Sequence, residues 1–418
     1  MTEPPAAARR MSAPRGFGAI ILVVFLPFAT GFFMSYLLRT VNAVIAPDLV
    51  ADIGLTAGDL GFLTAAYFLS FALMQLPVGV ALDRWGPRRV QAALLTIAVL
   101  GALVFATAET RTMLFVGRAL IGIGCAGGLM ASLKAITMWF PRERWPLING
   151  CFMATGGLGA LVATAPIEAA LHLTDWRGVF VGLAVAAAGA SALIFLVVPE
   201  KPGSAAPGRL PEQIAALGRI FRDPFFWRVA PVAVIPLGIS SAIQTLWTGP
   251  WLRDVGGLDR LAVAEYLLAI AAALTAGFVL AGIVTDVLIR KGMRLTQILG
   301  GSVVLLFTVK LMIALQLWPP NLALWILFGF SANSAIVYFP ILNQHFPPDL
   351  VARVNTATNV LNFGVGFASQ AAIGWIIDLW PATDGHYPAE AYRWAFLAVI
   401  ATEVVAFLWF LKPVARRR

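Results

Sequence analysis

Long apolar runs alternate with short polar breaks along nearly the whole chain. Twelve such runs can be marked, at residues 17–46, 59–80, 90–108, 113–140, 147–171, 176–198, 226–247, 261–288, 296–318, 322–343, 354–379 and 391–411. Each is near the ~20 residues that a helix needs to cross a bilayer. They are too long and too evenly apolar for barrel strands, and open sheets cannot satisfy their backbone in lipid. The pattern therefore predicts helices. One long polar connection, from Pro199-Glu200-Lys201-Pro202-Gly203 to Arg222-Asp223-Pro224, divides them six and six. The predicted organisation is a tail (1–16), a six-helix bundle (17–198), a linker (199–225), a second bundle (226–411) and a basic tail (412–418).

One polar break stands apart from the others. Gly79-Val80-Ala81-Leu82-Asp83-Arg84-Trp85-Gly86-Pro87-Arg88-Arg89 is a basic turn with one acid, placed between the apolar runs Leu60–Val78 and Val90–Thr107. A reduced copy follows 203 positions later as Gly282, Asp286 and Arg290-Lys291-Gly292. Phe140-Pro141 with Asn149 likewise returns 206 residues on as Phe346-Pro347 with Asn355, and Trp176-Arg177 with Phe180 is echoed by Tyr392-Arg393 with Phe396. Repetition at half-chain spacing makes the two bundles related copies, an arrangement that places a binding site between them near the midplane.

Composition agrees and adds direction. At 60% hydrophobic and 12% charged, 418 residues could not hide their apolar surface in water, so lipid is the solvent. The net charge of +9 would suggest nucleic acid in a soluble chain, but its placement explains it without that partner. With both ends placed in the cytoplasm, the inner segments hold 21 Lys and Arg and the outer loops hold 5. The positive-inside rule therefore expects a multi-pass protein of the inner membrane with both termini inside. No small-residue cleavage site follows the first apolar run, which reads as an uncleaved helix. Cys125 and Cys151 fall within apolar runs and read as buried free thiols, not as a disulfide or a metal site.

The basic turn, as Gly79-x-x-x-Asp83-Arg84-x-Gly86-x-Arg88-Arg89, resembles the signature loop between helices 2 and 3 of the major facilitator superfamily. The twelve spans, the central linker and the half-size repeat resemble that family too. The resemblance implies an all-α membrane protein with twelve transmembrane helices in two pseudo-symmetric six-helix bundles. It also implies that Gly79, Asp83, Arg84, Gly86, Arg88 and Arg89 form a conformational latch, with Gly282 and Asp286 as its counterpart. A charged turn that merely fixes topology is the plainer alternative.

Four cations lie inside spans, where charge is costly and marks function by default: Arg39, Arg118, Lys134 and Lys310. The stretch Tyr36-Leu37-Leu38-Arg39, with Pro47 eight residues on, resembles helix 1 of the anion:cation symporter and organophosphate antiporter branches. The resemblance implies that Arg39 faces a central cavity and holds an anionic substrate. A guanidinium fork suits a carboxylate or phosphate because it donates two bonds at once, and Tyr36 lies one turn away. Lys134 resembles a helix 4 cation of the same branches and is a second expected substrate contact. Arg118, in Arg118-x-x-x-Gly122-x-Gly124, resembles the family's helix 4 motif. Lys310 has no reading from the sequence.

Departures narrow the substrate. Helix 7 reads Ser240-Ser241-Ala242-Ile243-Gln244-Thr245-Leu246-Trp247, without the second Arg of the organophosphate exchangers, and helix 5 lacks their His. A singly charged or bulkier anion fits better than a phosphate ester, with Gln244, Trp247, Asn333, Asn359 and Asn362 as neutral contacts. A cation-drug exporter would place an acid in helix 1 or 4, and neither holds one. A sensor that binds without transport is the third class. His172, His345 and His386 form no triad or metal cluster, so no enzyme, cofactor or metal is expected. The expectation is a monomeric secondary transporter of a small organic anion, coupled to a proton or sodium ion, without nucleic acid as partner.

Overall fold

The structure, a computed structural model, describes residues 16–200, 210–318, 321–332, 334–347, 350–383 and 385–412. Among them there is no strand, only an isolated bridge between Thr383 and His386. Eleven helices are long and apolar enough to cross a membrane. One of them, Ala57–Ala106, has 50 residues and is two spans fused end to end. The break falls at Gly86, where φ is +76°, a conformation glycine adopts at little cost. The twelve predicted spans are therefore present.

In chain order α1 is Phe17–Thr40, continued after a break at Val41 by Asn42–Ile53. The arms of Ala57–Ala106 before and after Gly86 are α2 and α3. Next come α4 (Arg111–Trp139), α5 (Leu147–Leu171) and α6 (Trp176–Val197). The second half is α7 (Pro224–Asp254), α8 (Arg260–Arg290), α9 (Leu295–Ala314), α10 (Leu322–His345), α11 (Val351–Ile377) and α12 (Ala389–Leu411). Caps fix several starts: Thr56 and Asp59 form a capping box on α2, Asp175 caps α6, Asp223 caps α7 and Asp259 caps α8.

Two details depart from the sequence reading. α1 runs on to Ile53, beyond the expected end at 46, and stops where Gly54 turns left-handed. The linker is not polar throughout: Leu210–Phe221 is a helix, and its Ala216, Leu217 and Ile220 are buried against a cluster holding Phe226 and Val229. Their spacing of one and four positions puts the three on one helical face. Residues 201–209 and most of both tails lie outside the described residues.

Close helix approach rests on small residues, as in other membrane bundles. A side chain at Gly117 would collide with the backbone of Phe105 in α3, and Phe105 stacks on Phe180 of α6 with ring centroids 4.2 Å apart. The halves meet along α2 and α11. There a Cβ at Gly374 would lie 2.5 Å from the carbonyl of Ala57, and Phe71 lies 4.1 Å from Phe363 between centroids.

Candidate functional site

Arg39 sits on α1 where that helix passes the seam between the halves. Its guanidinium lies 3.9 Å over the ring of Tyr36, at cation–π distance. Tyr36 in turn meets Phe32 edge-on, with Phe152 stacked behind. Gly156 and Gly159 of α5 leave the room this ring occupies, since a Cβ at either would crowd Tyr36. Arg39 forms no ion pair among the described residues, and its Nε, shielded from solvent, makes no hydrogen bond. A half-buried guanidinium held over one aromatic face, with donors to spare, is an arrangement that accepts an anion.

Arg118 is fully buried on α4, and its Nη1 donates to the Leu38 carbonyl at 2.7 Å. It thus grips the residue just before Arg39. Beside them, a cavity of about 20 Å³ lies between Thr40, Ala43, Ala160 and Thr164 of the first half and Gln244 and Ile270 of the second. Gln244 reaches it from a π-helical turn, Ile243–Trp247, a feature that often marks functional positions. Gln244 thus shares this cavity with Thr40, the residue after Arg39, while Arg39 itself does not line it. Trp247 does not line that cavity: it is buried in the seam against Gly61. Asn359 and Asn362 are half-buried on α11, and Asn333 lies outside the described residues.

Beyond this cavity the halves are pinned together. Arg260, at the start of α8, donates from Nη1 and Nη2 to the two oxygens of Asp48 at 2.8 and 2.7 Å. Its Nε donates to Glu168 at 2.5 Å. Both acids belong to the first half. On the other side of the seam, Asp378 of the second half accepts from Thr56 Oγ1 at 2.7 Å, Ala57 N at 3.0 Å and Gly58 N at 2.8 Å. This carboxylate docks on the N-terminus of α2, a site that favours anions. The Tyr387 phenol, pushed up to about 12 by burial beside Asp378, stays a donor and adds a 2.6 Å bond.

At the opposite, basic end the halves part along α5 and α8. Gly157 still touches Thr275, but no residue from Phe278 to Arg290 is buried, and Leu147, Gly150, Cys151 and Ala154 are exposed. Cys151 is therefore exposed, unlike Cys125, which is buried as expected. The structure is closed at the gate of Arg260 and loosened at the basic end.

Residues 28–370 match the Major Facilitator Superfamily. The chain belongs to that superfamily. It is similar to the probable sulfoacetate transporter SauU of Cupriavidus necator, 24% identical over 83% of this chain and 85% of that protein. It is also similar to the probable L-galactonate transporter of Escherichia coli, 26% identical over 62% and 60% of the two chains. A third relative, the uncharacterized transporter YybO of Bacillus subtilis, is 34% identical over 35% of this chain and spans only 34% of its own length. In fold it matches a bacterial homologue of the human lysosomal transporter Spinster at a TM-score of 0.74 and 18% identity, covering 93% and 95% of the chains. This superfamily member is a multi-pass membrane transporter and not an enzyme.

The signature loop of this superfamily can now be placed. Asp83 pairs with Lys134 Nζ at 2.6 Å, and the same ammonium donates to the Leu82 carbonyl at 2.9 Å. Arg88 Nε donates to the Phe195 carbonyl at 2.8 Å, and Arg89 pairs with Glu200 at 2.5 Å. Arg84 lies over its neighbour Trp85, and Gly79 is half-buried one turn before Asp83. Each of these contacts stays within the first half or reaches only the start of the linker, at Glu200. Lys134, expected at the substrate, is held at the loop in this conformation. The counterpart is slighter: Asp286 pairs with Arg290 one turn on, both exposed, and nothing stands near Gly282.

Three contacts escaped the sequence reading. Asp48 pairs with Arg260 across the seam, Asp378 docks on the start of α2, and Lys310 is fully buried in an ion pair with Glu403 of α12. The partners lie 212, 320 and 93 residues apart in the chain, beyond any local spacing rule. For Lys310 and Glu403 the signal present in the sequence was the charge itself, a cation and an acid inside apolar spans.

Proposed function

We propose that this transporter moves a small organic anion bearing a carboxylate across the inner membrane by alternating access, with both termini in the cytoplasm. The observation that carries the reading is Arg39: a guanidinium at the seam of the halves with no acid paired to it among the described residues. An unpaired cation at that depth is expensive unless a ligand completes it. Gln244 supplies a neutral polar contact from the facing half, and Tyr36 an aromatic one. The names of two relatives point the same way, since sulfoacetate and galactonate are both organic anions. Orientation rests on the cation asymmetry, which places the basic end inside and the Arg260 gate outside. The signature loop then braces the first half at the inner face, with Lys134 as its internal partner.

The test is direct binding of a carboxylate panel in detergent. Loss of a desolvated charge-assisted pair of about 2.7 kcal/mol weakens affinity about a hundredfold. Arg39→Gln should reach that loss. Arg39→Lys keeps the charge without the fork and should retain part of the affinity. Cationic drugs should not compete. Equal affinity in wild type and Arg39→Gln would sink the anion reading.

A further inference from the structure

Between α3 and α6 the first bundle carries a furrow, and small residues are its cause. Ala92 and Ala93 line it from α3, and Ala188 and Ala192 from α6. The two helices are joined at either end of this stretch. Phe105 stacks on Phe180 at one end, and Arg88 Nε donates to the Phe195 carbonyl at 2.8 Å at the other. Between those ties lies a cavity of about 420 Å³. Ala93, Thr96, Ala188 and Ala192 are exposed, so it opens away from the bundle, towards lipid. Its hydroxyls are already used: Thr96 and Ser191 both donate to the Ala92 carbonyl, at 3.0 and 2.8 Å. Short of Arg89, the furrow therefore offers hydrocarbon a dry apolar wall.

Its length and its charge both bear on what fills it. On α3 the lining runs from Arg89 to Val99. That is about 15 Å of helix, half of the ~30 Å hydrocarbon thickness, and so the depth of one leaflet. The charged end lies on the basic face. Arg89 lines the furrow there, and the Arg88 guanidinium lies 5.1 Å over the ring of Phe195, another wall residue. Arg88 has no acid partner among the described residues, and its bond to the Phe195 carbonyl leaves its terminal N–H groups free to donate. Arg89 is paired with Glu200, but both side chains are exposed, at 56% and 51%. Exposed pairs of this kind contribute little, so a phosphate can take the guanidinium over from the carboxylate.

We propose that this furrow is a binding site for one anionic phospholipid, with an acyl chain laid between α3 and α6 and the headgroup phosphate on Arg88 and Arg89. Guanidinium forks suit phosphate, and cations at the membrane surface attract anionic lipid. A zwitterionic headgroup would bring its own ammonium to a mouth where two cations already face one acid. The net charge of the headgroup therefore decides between lipids that share the same chains. The inference stands whatever anion the transporter carries.

Native mass spectrometry of the full chain in detergent reads the site, with phosphatidylglycerol or phosphatidylcholine of the same acyl chains as the probe. Wild type should bind its first phosphatidylglycerol about tenfold more tightly than its first phosphatidylcholine. Arg88→Gln with Arg89→Gln should remove that preference. Ala192→Phe fills the furrow from an exposed position without touching either cation, and should weaken the first phosphatidylglycerol by a similar factor. Arg290→Gln with Lys291→Gln takes the same charge from the equivalent turn of the second half and should change neither result. Equal affinity for the two lipids in wild type would overturn the proposal, as would wild-type binding in either furrow variant. Displacement of the lipid by inorganic phosphate would overturn it too, making the mouth a site for the free anion. A dimer in place of the lipid-bound chain would instead make the furrow a seat for a second copy, and would equally refute it.

Discussion

Lys310 and Glu403 test whether buried charge in this bundle is structural. The Lys310 side chain is 0% exposed and that of Glu403 1%. The ammonium meets Glu403, the Pro236 carbonyl at 3.2 Å and Ser240 Oγ at 3.4 Å, so one cation ties α9 to α12 and α7. The second Glu403 oxygen has no hydrogen bond among the described residues. Lys310→Met removes the ammonium and strands the carboxylate, which costs about 3–5 kcal/mol in buried pairs. At 1.4 kcal/mol per tenfold, the folded-to-unfolded ratio falls at least about a hundredfold. Replacing both partners, as in Lys310→Met with Glu403→Leu, removes the uncompensated charge and the cost of desolvating the pair. The double variant should recover most or all of that loss. Denaturant unfolding in detergent, followed by tryptophan fluorescence, gives the comparison. A single variant as stable as wild type, or a double variant as weak as the single, would refute the reasoning.

Two further outcomes are expected. Asp83→Asn removes the acid that holds Lys134, so turnover should fall at equal expression while substrate binding is largely kept, because a latch biases conformations instead of touching ligand. Unchanged turnover in proteoliposomes would reduce the loop to a topology signal. Cysteines placed at Arg253 or Arg260 should react with an impermeant thiol reagent from outside intact cells, and one at Gly203 should not. The reverse labelling pattern would invert the orientation.

The fold was legible because lipid imposes a simple grammar: apolar runs of fixed length, polar breaks, cations on one side. Gly86 shows that grammar at work, since its non-helical backbone separates α2 from α3 within the basic turn. The linker helix was missed because its short apolar face, Ala216, Leu217 and Ile220, is masked by the polar stretch around it. At the candidate site, Arg39 was singled out by the resemblance of helix 1 and Tyr36 by its one-turn spacing, and their contact is a local one. Arg260 and Glu168, by contrast, sit at the ends of apolar runs, with no local pattern that pairs them. Their meaning depends on which helices face each other across the seam, and spacing along a chain carries no record of that. Lys134 was misplaced for a related reason: a flexible ammonium at the end of a span can turn to substrate or to loop, and Asp83 decided it.

The two copies of the signature loop differ in how firmly they are tied. The first is stapled to α4, α6 and the start of the linker by Lys134, the Phe195 carbonyl and Glu200. The second keeps, among the described side-chain contacts, an exposed pair within its own helix. Evolution and engineering thus meet unequal freedom at two equivalent addresses. The turn at Lys291-Gly292 is a natural place to accept foreign sequence, such as a fluorescent reporter or an affinity tag, whereas an insertion at Gly86 would strain the contacts of Asp83, Arg88 and Arg89.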